Sequence, residues 1–232
     1  MAMNTVKGVI FDYGGTIDTN GTHWAEVIWE QYQRAGVEVG KELFREAYVY
    51  GERTLAKKRI IEPCDTFHTL LQKKIALHAE FLAGKISPEK HSAIVEGCYQ
   101  KVLDTLRTTC GVVQRLSQRY PLVLVTNFYG NMPVVLKEFN LSSYFPTIVE
   151  SSVVGIRKPD PALFALGVEA LGLPAQEILV VGDSYKKDIQ PSLSLGCRTA
   201  WIKGLCWEEE TPQPDALPHR IISSIEELLD IL

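Results

Sequence analysis

The chain has 232 residues, 46% of them hydrophobic and 22% charged, with 24 basic residues against 28 acidic ones and a formal net charge of -4. This composition excludes a disordered, collagen-like or low-complexity chain, and it gives no overall attraction to nucleic acid or anionic lipid. A chain of this length buries a sizeable core as one domain, or as a core with a smaller companion.

The start, MAMNTVKGVIFD, has one lysine and an apolar stretch too short for a signal peptide. No apolar run approaches the ~20 residues that cross a bilayer. The expectation is a cytoplasmic protein with no membrane partner. Cys64, Cys98, Cys110, Cys197 and Cys206 are odd in number and scattered, so buried thiols are expected rather than disulfides or a zinc site.

Val6 to Phe11 is a short, continuously apolar run that stops at Asp12 and a Gly-Gly pair, which predicts a strand covered on both faces. From about Trp24 to Arg107 the pattern changes to four long amphipathic stretches at 23–36, 42–59, 66–84 and 88–107. Ser87-Pro88-Glu89 supplies an N-cap and a first-turn proline for the last of these. Four successive helices predict an antiparallel bundle.

After Arg107 strands and helices alternate. Buried strands are expected at 121–127 and 177–183, with others at 198–202 and 219–222. Helical patterns fall at 111–120, 130–140 and 160–172, after Asp188, and at 224–232. This alternation predicts an α/β fold, a doubly wound, Rossmann-like parallel sheet. The expected organisation is a discontinuous core from 1–18 and 108–232, with a helical domain of 19–107 inserted after the first strand.

Ligands of open α/β sheets sit beyond the carboxyl ends of the strands. Asp12, Thr126-Asn127 and Gly182-Asp183-Ser184 follow predicted strands, and Arg157-Lys158-Pro159-Asp160 precedes a helix. Carboxylates, a hydroxyl, an amide and an ammonium converging at one sheet edge are suited to a phosphate and a divalent metal. FDYGGTID (11–18), VTN (125–127), Lys158 in RKPDP and GDSYKKD (182–188), in that order, resemble the four motifs of the haloacid dehalogenase-like hydrolase superfamily. The helical insertion is similar to that family's cap.

The resemblance implies a Mg²⁺-dependent phosphatase acting on a small phosphorylated metabolite, with no nucleic-acid partner. It implies Asp12 as the nucleophile that forms an aspartyl-phosphate. Asp12, Asp183 and the Gly14 carbonyl would hold Mg²⁺, Thr126, Asn127 and Lys158 would bind phosphate, and Asp188 would order metal-bound water or Lys158. The chain departs from the family's phosphatase pattern at Gly14, where a second Asp ordinarily serves as general acid and base. Family dehalogenases also lack that Asp, but their fourth motif differs from this acidic GDSYKKD. Two alternatives stay open: metal-independent substitution at carbon through Asp12, and a catalytically weak protein that binds a phosphometabolite.

Asp18 and His23 follow the first motif closely; His23 is either a substitute acid or a hinge histidine. Arg53 and the Lys57-Lys58-Arg59 run either bind an anionic substrate or form a solvated basic helix end. Trp24, Trp29, Tyr32, Tyr48 and Tyr50 read as bundle core. Trp201 and Trp207 flank a polar loop without indicating a role. The sequence sets neither the natural substrate nor the oligomeric state.

Overall fold

The computed structural model of the protein describes residues 3–232. Within them a six-stranded, all-parallel sheet runs in the order β3-β2-β1-β4-β5-β6. The central strands β1 (Gly8–Phe11), β2 (Leu122–Thr126) and β4 (Ile178–Gly182) are buried throughout, which is why each reads as an unbroken apolar run. Phe11 pairs with Leu124 on one side and Val181 on the other, so Asp12 and Asp183 leave the sheet at the same edge. The chain order reverses at β1 and β4, the place where doubly wound sheets open a ligand crevice.

β5 (Arg198–Ile202) and β6 (Arg220–Ile222) form where expected, whereas β3 (Thr147–Glu150) has no counterpart in the sequence reading. β3 is a four-residue edge strand whose first two residues are half-buried, too short and too mixed to give a periodic signal.

Between β1 and β2 lie α1 (Trp24–Arg34), α2 (Lys41–Lys57), α3 (Phe67–Phe81) and α4 (Pro88–Ser117). Ser87 accepts from the Lys90 amide at the start of α4, as its N-cap pattern predicts. The separate helices expected at 88–107 and 111–120 are one helix, roughly 45 Å long at 1.5 Å per residue. Nothing at 108–111 turns the chain. The Thr109 hydroxyl donates to the Ile17 carbonyl at 3.0 Å, and Val112, Val113 and Leu116 prolong the buried stripe of Val102 and Leu106.

The rest of the chain supplies α5 (Met132–Glu138), α6 (Ser151–Val154), α7 (Pro161–Leu171), a π-helical turn (Tyr185–Ile189), α8 (Gln190–Ser194) and α9 (Leu228–Ile231). The expected 224–232 helix is shorter because Ile225–Glu227 form a 3-10 turn. Leu163 and Phe164 of α7 cover Ile10, Val123 and Val180 on one sheet face. On the other face Val9, Leu124 and Val181 belong to the same apolar cluster as Tyr32, Phe44 and Ile75 of the helical layer. All five cysteines are free, but only Cys98 and Cys197 are fully buried. Among the described residues no helix is long and apolar enough to cross a membrane.

Candidate active site

Beyond the carboxyl ends of β1, β2 and β4 lies a cavity of about 310 Å³. Asp12, Gly14, Thr126, Asn127, Lys158, Asp183 and Asp188 all line it, so every residue selected from the motifs reaches one place. The Lys158 ammonium bridges two carboxylates, at 2.6 Å from Asp12 Oδ1 and 2.7 Å from Asp188 Oδ1. Asp12 Oδ2 accepts from the Thr16 hydroxyl at 3.2 Å, and Asp188 Oδ2 accepts from the Ser184 amide at 3.0 Å.

Three carboxylates stand here around one ammonium, with Asp12, Asp188 and Lys158 buried and Asp183 half-buried. Burial lifts the Asp12 carboxyl to about 6, with Lys158 opposing and the Asp188 charge adding to the rise. Burial and the charges of Asp188 and Asp12 push Asp183 well above the usual carboxylate range. Burial works against the Lys158 ammonium, yet its two carboxylate partners outweigh that and raise its pKa. Carboxylate oxygens of Asp12, Asp183 and Asp188 lie within 4.8 Å of one another. Such an excess of hard anionic oxygen suits Mg²⁺, which takes one or two carboxylates and keeps water or phosphate in its remaining positions. Both oxygens of Asp12 and both of Asp188 already accept hydrogen bonds, whereas none to the Asp183 carboxylate is found among the described residues, so Asp183 is the carboxylate most free to take a cation.

Two glycines make this crowding feasible. Gly15 has φ +94, and a Cβ there would fall 2.3 Å from Asp183 Oδ2. A Cβ on Gly182 would fall 2.4 Å from that of Asp188. Gly14 differs: its Cβ would meet only the Trp24 ring, at 3.9 Å, and no left-handed backbone requires the glycine.

Several side chains serve the site indirectly. The Asn127 amide donates to the Lys158 carbonyl at 3.2 Å and accepts from its backbone N–H at 2.9 Å, so it anchors the loop that carries the lysine. The Trp201 indole donates to the Asp183 carbonyl at 2.7 Å, a role its sequence context did not suggest. Glu210 accepts from the Ser184 hydroxyl and the Tyr185 amide, fixing the start of the turn that presents Asp188.

Asp18 is fully buried, with Oδ1 accepting from the Gly15 amide at 2.7 Å and Oδ2 from the Trp24 indole at 2.9 Å. It shapes the loop and does not line the cavity. His23 does line it, but its Nδ1 accepts from the Ala25 amide as the cap of α1. The neutral ring therefore carries its proton on Nε2, and burial, mainly, lowers the imidazole pKa to about 4. In this structure the ring serves as a neutral helix cap. Arg53, Lys57 and Lys58 are exposed and line a separate outer groove instead.

The charges of the helical layer that reach the cavity are Glu52 of α2 and Lys74 of α3, neither signalled by a motif. Lys74 Nζ lies 2.7 Å from Glu52 Oε1, and the Tyr129 hydroxyl, just past β2, donates to Glu52 Oε2 at 3.1 Å. Trp24, Tyr48 and Phe67 wall the same side, so part of the aromatic set expected in the bundle core faces the cavity. Trp207 ties the β5–β6 loop to the layer, with its carbonyl and ring both meeting Arg45.

A model of haloacid dehalogenase-like hydrolases matches residues 6–196. Haloacid dehalogenase-like hydrolase domain-containing protein 3 of Danio rerio is 35% identical over 108 residues, 45% of this chain and 43% of that protein. The 5-amino-6-(5-phospho-D-ribitylamino)uracil phosphatase YigB of Escherichia coli is 28% identical over 158 residues, 67% of this chain and 65% of that one. These matches span less than two thirds of either relative. Among solved structures, a dehalogenase with intermediate complex superimposes with TM-score 0.65 at 15% identity, covering 98% of this chain and 97% of that one. The HAD-hydrolase YfnB from Bacillus subtilis bound to magnesium gives 0.59 at 18% identity, over 98% of both chains.

Proposed function

The chain belongs to the haloacid dehalogenase-like hydrolase family, and from that premise we propose that it is a Mg²⁺-dependent hydrolase of small phosphate monoesters working through an aspartyl-phosphate on Asp12. The observation that carries this reading is the cluster of Asp12, Asp183 and Asp188 within 4.8 Å, whose one ion-pair partner among the described residues is Lys158. A dianionic phosphate enters such a cluster only with a cation present. Mg²⁺, held by Asp12, Asp183 and the Gly14 carbonyl, would supply that positive charge. Several curated relatives are phosphatases, including a phosphoglycolate phosphatase of Pectobacterium atrosepticum, 36% identical over 115 residues that make up 47% of this chain and 48% of that one.

In this reading an Asp12 oxygen attacks phosphorus, a bond forms to that oxygen, and the ester oxygen departs with its electron pair. Lys158 holds Asp12 in line and neutralises charge on the transferring group, and the Thr126 hydroxyl donates to a phosphate oxygen. Asn127 keeps Lys158 in place, with one amide N–H left for phosphate. Asp188 orients Lys158. Water then attacks phosphorus, the bond from phosphorus to the Asp12 oxygen breaks to restore the carboxylate, and inorganic phosphate leaves; solvent takes the water's proton and supplies the one the departed alkoxide gains. With glycine at position 14 and His23 neutral, no side chain stands ready to protonate the leaving oxygen. Residues 19–107 act as a cap on a core of 1–18 and 108–232, the boundary falling inside the continuous α4.

The test is phosphate release from a set of metabolite esters with Mg²⁺ and with chelator, beside a halide-release assay on 2-haloacids. Mg²⁺-dependent phosphate release is expected. Full activity in chelator, or halide release alone, overturns the proposal in favour of substitution at carbon.

A further inference from the structure

The roof of the cavity carries charge, but no net charge. Lys74 keeps only 7% of its side chain exposed, and its ammonium sits against Glu52 Oε1 and between the rings of Tyr129 and Trp24, at 5.5 and 5.9 Å from their centroids. Burial opposes ionisation of both partners, yet each holds the other charged: Lys74 rises well above its ordinary range and Glu52 falls below its own. Glu52 Oε1 is shut in against the lysine, whereas Oε2 accepts from Tyr129 and retains a second lone pair.

A bare lysine at this position would welcome a second anion on the substrate. A lysine already matched by a carboxylate does not, because the incoming anion meets Glu52 at close range in a desolvated setting, where like charges repel strongly. A hydroxyl or amide N–H, by contrast, can donate to Glu52 Oε2 while Trp24 and Tyr48 cover apolar faces. Arg157, Lys186, Lys187 and Lys203 also line the cavity, but all four are exposed, so water and salt screen their attraction for a further anion far more than the buried Glu52–Lys74 contact is screened.

We propose that Glu52 and Lys74 form a specificity pair that admits phosphate esters whose leaving group is uncharged and bears a hydrogen-bond donor, and excludes those bearing a second anionic group. This rests on the phosphatase reading of the same site. The pair is assembled by α2 and α3 and docked on Tyr129, so the cap reads the leaving group while the strand ends handle phosphorus.

Glycerol 3-phosphate and 3-phosphoglycerate are matched probes, three carbons each, differing by a hydroxymethyl group against a carboxylate. In the wild-type protein with Mg²⁺, kcat/KM for glycerol 3-phosphate is expected to exceed that for 3-phosphoglycerate by about tenfold or more. Glu52→Gln frees Lys74 for the carboxylate and reverses the order. Should that variant fail to fold around its unpaired lysine, Glu52→Gln with Lys74→Met removes both charges and brings the ratio near one. Equal rates in the wild type, or the wild-type ratio kept in either variant, overturns the proposal. Calorimetric binding of both compounds to the Asp12→Asn protein measures the preference without turnover. A retained preference there, with no ester hydrolysed by the wild type, defeats the phosphatase reading and upholds the pair. No preference overturns the pair.

Discussion

The floor and the roof of one cavity are built on opposite electrostatic plans. On the floor, Asp12, Asp183 and Asp188 crowd around a single ammonium and leave an excess of negative charge. On the roof, Glu52 and Lys74 match one to one, with a tyrosine hydroxyl and aromatic walls around them. An unbalanced buried cluster is costly unless something completes it, and in the proposed function a cation and a phosphate do so. A balanced pair is already complete and selects by what it refuses. On the proposed function the chemistry belongs to the floor and the choice of substrate to the roof.

The largest effect that would sharpen this division comes from the floor. Asp12→Asn should lower phosphatase turnover by about 10⁴-fold or more, the scale of losing an acting nucleophile. The amide is nearly isosteric, so circular dichroism and thermal unfolding should stay close to wild type. Near-wild-type rates in that variant would remove the covalent role of Asp12. Next, Asp183→Asn should cost about 10²–10³-fold at saturating substrate and raise the Mg²⁺ concentration needed for half activity. A Mg²⁺ titration unchanged from wild type would show that Asp183 does not hold the metal.

Position 14 gives a smaller and opposite effect, a gain. Its Cβ direction is open toward Trp24, so Gly14→Asp should fold and bring a carboxyl to the leaving group. General acid catalysis contributes ~10²–10⁴-fold and matters most for strongly basic leaving alkoxides. The wild type should thus depend steeply on leaving-group pKa across a series of phosphate esters, favouring acyl, aryl and anomeric phosphates, and Gly14→Asp should flatten that slope. A flat dependence in the wild type, unchanged by the substitution, would mean that some other group already does the acid's work.

The same contrast explains what could be read from the sequence. Asp12 and Asp183 sit where buried strands end, and Lys158 and Asp188 in the loop and the turn that lead into α7 and α8, so local pattern and position betray them, and the motifs converge as the parallel sheet requires. The residues that hold the floor were less legible. Asn127 reads as a phosphate donor, yet its amide spans the Lys158 backbone, a relation set by the packing of one loop on another. The roof is harder still. Lys73 and Lys74 are adjacent and chemically identical, but Lys73 turns outward to Asp65 while Lys74 is buried beside Glu52. A rotation of about 100° per residue on a helix separates the two, and only the docking of α3 against α2 decides which lysine faces in. Arg53, next to Glu52, was singled out by its charge and lies in the outer groove for the same reason.

The smallest predicted effect tests the roof through its proton balance. His78 of α3 is fully buried, with Nδ1 paired to the Tyr32 hydroxyl at 3.1 Å and Nε2 without a partner. Burial, then the nearby Lys74 ammonium, lowers its pKa to about 3. Between pH 6.5 and 3 the unfolded chain therefore binds a proton at this residue that the folded chain refuses. The neutral histidine's contribution is complete above pH 6.5 and is lost as pH falls, by at most roughly 1.4 kcal/mol per pH unit. Asp12 on the floor and the buried Asp18 behind it work the other way: raised to about 6 and about 7, they favour the fold as pH falls toward their unfolded values. The two trends offset each other in the wild type, so the measurement has to be a difference. His78→Phe keeps an aromatic ring among Phe44 and Tyr48 but cannot take the proton. Urea unfolding of both proteins at pH 7 and pH 4.5 should show the variant gaining on the wild type as the solution is acidified. A gap between the two that does not change with pH would mean that His78 is charged in the fold, and that the roof is not the desolvated, charge-balanced layer on which its selectivity depends.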